Sequence, residues 1–194
     1  MAIKNSKRKS NKGFSLMELL VVIAIMAIVT TMSFGSVYLS RKASLNGAKK
    51  DLQTELMRTK GFVTSHDKAR TRIRFYVDSS DNLVAVIEYK DDESSPYISK
   101  YSELIGKNVV LEFADDKGSK TTVTKTKSLC VYFDKRSGKV TEVKTTMALE
   151  GGGSLDAQLK YGESSYGTFT VHLSKWSPDK TRSFKLYYEN ATIN

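Results

Sequence analysis

The run KGFSLMELLVVIAIMAIVTTMSF, residues 12–34, restricts the fold more than any other part of the chain. From Leu19 to Ser40 there are 22 consecutive residues without a formal charge. As a helix rising about 1.5 Å per residue they reach roughly 33 Å, close to the roughly 30 Å hydrocarbon core of a bilayer. Val21, Val22, Ile23, Ile25, Ile28 and Val29 are β-branched and disfavour helix in water. Lipid overrides that preference, because a single segment closes its own backbone hydrogen bonds there only as a helix. One acid interrupts the segment near its start: Glu18, one helical turn past Phe14. A carboxylate at membrane depth costs about 2.5–3.5 kcal/mol, less near the interface. Its presence needs a reason.

The leader MAIKNSKRKSNKG, residues 1–13, holds Lys4, Lys7, Arg8, Lys9 and Lys12 and no acid. Such a flank keeps the start cytoplasmic and sends the rest outward, although Arg41 and Lys42 follow on the far side. A secretory signal peptide has a shorter apolar core and then a small-residue cleavage site. Here the run is too long, and small polar residues appear only within Thr30 to Ser36. A plain signal anchor accounts for leader and run, but not for Gly13, Phe14 and Glu18 together.

KGFSLMELLVVIAIMAIV, residues 12–29, resembles the N-terminus of type IV prepilins and type II secretion pseudopilins. The resemblance implies that a membrane-bound prepilin peptidase cuts between Gly13 and Phe14, and that Phe14 is then N-methylated. It implies that the Glu18 carboxylate pairs with the freed amine of a neighbouring pilin or pseudopilin subunit. An opposite charge stabilises an ionised carboxylate, so a penalty relieved only by a neighbour favours correct register. The implied partners are the peptidase, other subunits, the inner-membrane assembly machinery and the cell membrane. The implied location is the cytoplasmic membrane, as a single-pass precursor with its head outside, then a cell-surface or periplasmic filament. Members of that group often carry a proline past the middle of the run. This chain has only Pro96 and Pro178, so Ser33, Gly35 and Ser36 are the nearest weak points.

Past Arg41 the pattern becomes one-sided: Leu45, Ala48, Leu52, Leu56 and Val63 form an amphipathic stripe. Lys49, Lys50, Asp51, Arg58 and Lys60 fill the opposite face. These features predict one helix from Phe14 to His66, with a membrane half (14–40) and an amphipathic half (41–66). Residues 67–194 read as a β-rich head. Four hairpins are expected: 72–78 with 83–90, 108–113 with 121–127, 128–133 with 139–147, and 167–174 with 182–189. Residues 149–167 read as a long loop. The fold class is therefore α+β, pilin-like, one long helix packed on an antiparallel head. Within the pilin-like group the layout is most similar to minor pilins and H-type pseudopilins, although the final ENATIN lacks their Thr-Gly ending.

The formal charge of +10 suggests nucleic acid or a membrane surface. Setting aside five of the 31 cations, those of the leader, leaves 26 basic against 21 acidic residues. The remainder is only mildly basic. Lys117, Lys120, Lys125 and Lys127 form one basic stretch and Lys175, Lys180, Arg182 and Lys185 another, with Trp176, Tyr187 and Tyr188 nearby. A DNA-uptake pilin with a basic head is thus one alternative; a signal-anchored surface binding protein that never polymerises is the other. No catalytic constellation is visible, and neither a cofactor nor a metal is implied. His66 and His172 are far apart, the lone Cys130 lies in an apolar strand without a partner base, and Asp91-Asp92-Glu93 and Asp115-Asp116 read as solvated turns. Gly151-Gly152-Gly153 reads as a flexible connection, and the Asn190-Ala191-Thr192 sequon carries no expected role.

Overall fold

A computed structural model describes the backbone of residues 14–148, 154–157, 165–175 and 180–194, with side chains for 14–31, 37–146, 165–175 and 180–194. Helix α1 is Leu16–Ser65. The chain divides into two compact units, residues 1–40 and 41–194, and α1 contributes to both.

Among the described residues of the second unit, eleven strands follow α1 in two sheets. Their bounds are β1 Arg70–Val77, β2 Asn82–Lys90, β3 Ile98–Lys107, β4 Val109–Asp115, β5 Lys120–Thr122, β6 Lys127–Phe133, β7 Val140–Ala148, β8 Ser154–Ala157, β9 Tyr166–Leu173, β10 Arg182–Tyr187 and β11 Thr192–Ile193. Sheet A runs β3-β2-β1-β6-β7-β8 and sheet B runs β11-β10-β9-β4-β5. Every pairing among the described residues is antiparallel. The α+β class with antiparallel sheets is as the sequence implied, and all four expected hairpins pair.

The core forms where alternation predicts it. Ile73 and Phe75 of β1, Leu83 and Ala85 of β2, and Leu129 and Val131 of β6 face inward from sheet A. Leu111, Phe113, Phe169, Val171, Phe184 and Leu186 do so from sheet B. The helix stripe Leu45, Ala48, Leu52, Leu56 and Val63 joins the same cluster. Phe169 links the layers: it meets Phe75 of sheet A edge-on at 6.3 Å, and Phe113 and Phe184 of its own sheet at 5.1 Å each. Gly167 keeps that hub close-packed. A Cβ there would overlap the Phe113 ring and come within 2.6 Å of the Tyr188 hydroxyl. Gly167→Ala is expected to cost about 1–3 kcal/mol through overpacking, measured by denaturant unfolding.

The turns share one device. Asp78, Asp115 and Asp134 each turn a carboxylate back onto backbone N–H groups: those of Ser80 and Asn82, of Lys117 and Ser119, and of Arg136 and Ser137. These Asx turns set the register of three of the hairpins, and the hydrogen bonds hold the Asp78 and Asp134 carboxyls below their ordinary range.

Four elements differ from expectation, one of them β11, whose two residues are too few to show a period. Strand β3 has no predicted counterpart, because only Ile105 among its residues is buried and two bulges interrupt its pairing with β2. An edge strand exposed on both faces leaves no alternation to read. The strand expected over 121–127 shrinks to β5, and Lys125 turns instead to Asp81 and the Ser79 carbonyl. β8 lies inside the expected loop, where four residues are too few to show a period.

One charge is set into the helix–sheet contact. Glu55 of α1 is 3% exposed and accepts from Arg58 at 2.8 Å. Burial, reinforced by Glu103 and Asp51, holds its carboxyl above the usual range despite Arg58. The folded state then binds this proton more tightly than the unfolded chain does. Its contribution to stability is therefore lost as pH rises through the carboxylate range. Glu55→Gln is expected to melt at a higher temperature than wild type at about pH 7, with the gap closing near about pH 4.

Candidate functional site

The start of α1 is built by a reciprocal pair. The Glu18 N–H donates to Ser15 Oγ at 3.1 Å, and the Ser15 N–H donates to Glu18 Oε2 at 3.3 Å. This is a capping box, Ser15-Leu16-Met17-Glu18, satisfying N–H groups that a helix start otherwise leaves without partners. The acid also sits in the first turn, where the helix dipole favours negative charge. Sequence reading picked out Glu18 for its cost in lipid and missed this local use. The S-x-x-E spacing ahead of an apolar run was the available signal.

From Leu19 to Val29 the helix is apolar on all sides, and the large apolar side chains from Leu16 to Val29 are exposed. Their exposure runs from 42% at Val22 to 82% at Leu16, and Phe14 is 79% exposed. A helix hydrophobic all round is normally buried in a membrane or a bundle. The two hydroxyls just past this stretch are already internally satisfied: Thr30 Oγ1 donates to the Met26 carbonyl at 2.7 Å, and Thr31 Oγ1 to that of Ile28 at 2.8 Å. That leaves no side-chain donor facing outward to demand water. Among the described residues no helix is long and apolar enough to cross a membrane. Leu16–Thr31, the apolar stretch with described side chains, rises only about 24 Å. Lys4, Lys7, Arg8, Lys9, Lys12 and Gly13 lie outside the described residues, as do the side chains of Ser33, Gly35 and Ser36.

The head residues weighed for chemistry do not converge. Cys130 is fully buried beside Thr146 Oγ1 at 3.2 Å, and burial pushes its thiol up. His66 stacks on Phe62 at 4.3 Å just past the helix end, whereas His172 lies on β9. Lys68 pairs with Asp91, and Asp116 accepts from the Ser165 N–H. Asn190 Oδ1 accepts from both the N–H and the hydroxyl of Thr192, so the sequon is folded onto itself. Among the described residues no group of acids, histidines and cysteines could hold a metal. The basic stretches are dispersed: Lys127 starts a strand of sheet A, Lys120 and Lys185 lie on sheet B, Lys125 is tied to Asp81, and Arg182 donates to Asn46 Oδ1. Trp176 and Gly151 to Gly153 lie outside the described residues.

No curated protein and no solved structure gives a significant match to the chain. The prokaryotic N-terminal methylation motif matches residues 8–34, which takes in Gly13, Phe14, the capping box and most of the exposed apolar helix. A motif of this kind implies processing by a prepilin peptidase. Residues 8–34 are thus the class III signal peptide of type IV pilins and pseudopilins, which marks the chain as a type IV pilin-like or pseudopilin precursor.

Proposed function

We propose that the chain is a structural subunit, of the minor kind, in a type IV pilus or type II secretion-like filament. The peptidase cuts between Gly13 and Phe14, Phe14 is methylated, and one continuous helix serves first as a membrane anchor and then in the filament core. The head stays outside the membrane and presents a surface for interaction; the role is not catalytic. The observation that supports this reading is the apolar helix whose large side chains are exposed and which begins inside the methylation motif. Such a surface favours lipid before assembly and neighbouring helices after it.

One observation favours the rival reading of a signal-anchored protein that never polymerises. The capping box gives Glu18 a task inside a single chain, so the acid alone does not require a neighbour.

Co-expression with a prepilin peptidase separates the two. The mature protein is expected to lose residues 1–13 and gain one methyl group on Phe14 by intact mass, while Gly13→Val stays full length in the membrane. A wild-type chain that keeps its leader beside an active peptidase would support the rival.

A further inference from the structure

The outer faces of the two sheets use their charges in opposite ways. On sheet A, Arg72 and Arg74 are tied to Glu88, and Arg70 to Glu142. On sheet B, the side chains of Glu112 and Lys120 form no hydrogen bond or ion pair with any described residue. The register sets these residues in two parallel rows: Lys120, Ala114, Thr168 and Lys185, then Thr122, Glu112, Thr170 and Ser183. Neighbouring strands lie about 4.8 Å apart, so Lys120 and Glu112 sit diagonally across one step yet leave each other unpaired.

Ala114 is the small residue among longer ones, and over this part of the sheet lies a cavity of about 390 Å³. That volume falls within the range of small-molecule sites. Its lining includes Glu112, Lys120, Thr122, Thr168 and Thr170, none of whose side chains has an internal hydrogen bond. Thr121, between Lys120 and Thr122, turns its side chain to the core face opposite Phe113 and adds no hydroxyl to the trough. Beside the cavity, the Lys185 ammonium stands 4.3 Å over the Tyr166 ring.

The mixture of groups selects a ligand class. A carboxylate only accepts hydrogen bonds, an ammonium only donates them, and threonine hydroxyls do either. A guest that satisfies all of them must offer donors and acceptors side by side on a short spacing. Neighbouring sugar hydroxyls do this, since each both donates and accepts. A backbone phosphodiester offers acceptors alone and meets the Glu112 charge, which disfavours nucleic acid at this face.

We propose that this trough is a carbohydrate subsite, holding one or two sugar residues of a polyhydroxy ligand through Glu112, Lys120, Thr122, Thr168 and Thr170. The inference stands whether or not the chain polymerises.

The test is amide shift mapping on the full chain in a phosphocholine detergent, which carries no sugar. Methyl α-glucoside, N-acetylglucosamine and glucosamine are titrated, with inorganic phosphate and glycine beside them. At least one sugar is expected to give saturable shifts confined to β4, β5 and β9, with Kd on the order of 1 mM. Glu112→Gln, which keeps the shape and removes the charge, is expected to weaken it about tenfold, and Lys120→Met about threefold or more. The proposal fails if no sugar moves these resonances at about 100 mM. It also fails if neither variant changes the affinity, or if phosphate or glycine alone reproduces the shifts.

Discussion

Glu88→Ala is expected to remove about 3–5 kcal/mol from the stability of the head, a large share of the 5–15 kcal/mol, roughly, that a domain has. Glu88 is 4% exposed on β2, and its two oxygens serve two guanidiniums, Arg72 Nε at 2.7 Å and Arg74 Nη2 at 2.7 Å. Arg72 is itself 8% exposed, 3.6 Å from the Tyr97 ring centroid, and donates to the Tyr132 hydroxyl at 2.9 Å. With the carboxylate gone, Arg72 keeps its charge in a site that water hardly reaches. Tyr132 answers only one of its donors, and ring faces cannot replace an anion. Arg74 suffers less, because a third of its side chain meets solvent. The same reasoning predicts that Arg72→Leu combined with Glu88→Leu recovers most of the loss, since the buried charge then leaves with its partner. Denaturant unfolding of the full chain in detergent measures both. A loss under about 1 kcal/mol for Glu88→Ala would place this network with ordinary surface pairs.

That network also marks where sequence reading stopped. The inward residues Ile73 and Phe75 were legible because apolar and polar side chains alternate along β1. The same alternation set Arg70, Arg72 and Arg74 on the other face, where arginines on a strand read as solvated. Nothing local to RTRIRFYV says that Tyr97, from the β2–β3 connection, comes down over Arg72. Burial of that face is a tertiary fact. Three of the hairpins were legible because an Asp in the turn folds onto its own backbone, a device confined to a few residues. β3 was not, because its side chains face solvent on both sides. At the helix start the methylation motif was legible as a group, and the physics of one residue was incomplete: Glu18 bears on helix capping as well as on charge.

Glu18 accordingly carries two separable contributions, and substitution can part them. Glutamine is also a capping-box residue, so Glu18→Gln keeps the helix start while deleting the charge; Glu18→Ala removes both. Ser15→Ala weakens the cap by about 1 kcal/mol and leaves the acid in place. If the carboxylate answers the amine of a neighbouring Phe14, breaking that pair away from water costs about 3–5 kcal/mol per contact. That corresponds to an association weaker by on the order of a hundredfold or more. Loss of the cap alone would change helix stability by far less.

The most direct measurement is the fraction of processed chain recovered in sheared filaments, compared among wild type, Ser15→Ala, Glu18→Gln and Glu18→Ala. All four are expected to insert in the membrane and lose residues 1–13. Wild type and Ser15→Ala should enter filaments, while both Glu18 variants should remain in the membrane. Recovery of Glu18→Gln in filaments at the wild-type level would contradict the account and leave Glu18 as a helix cap alone.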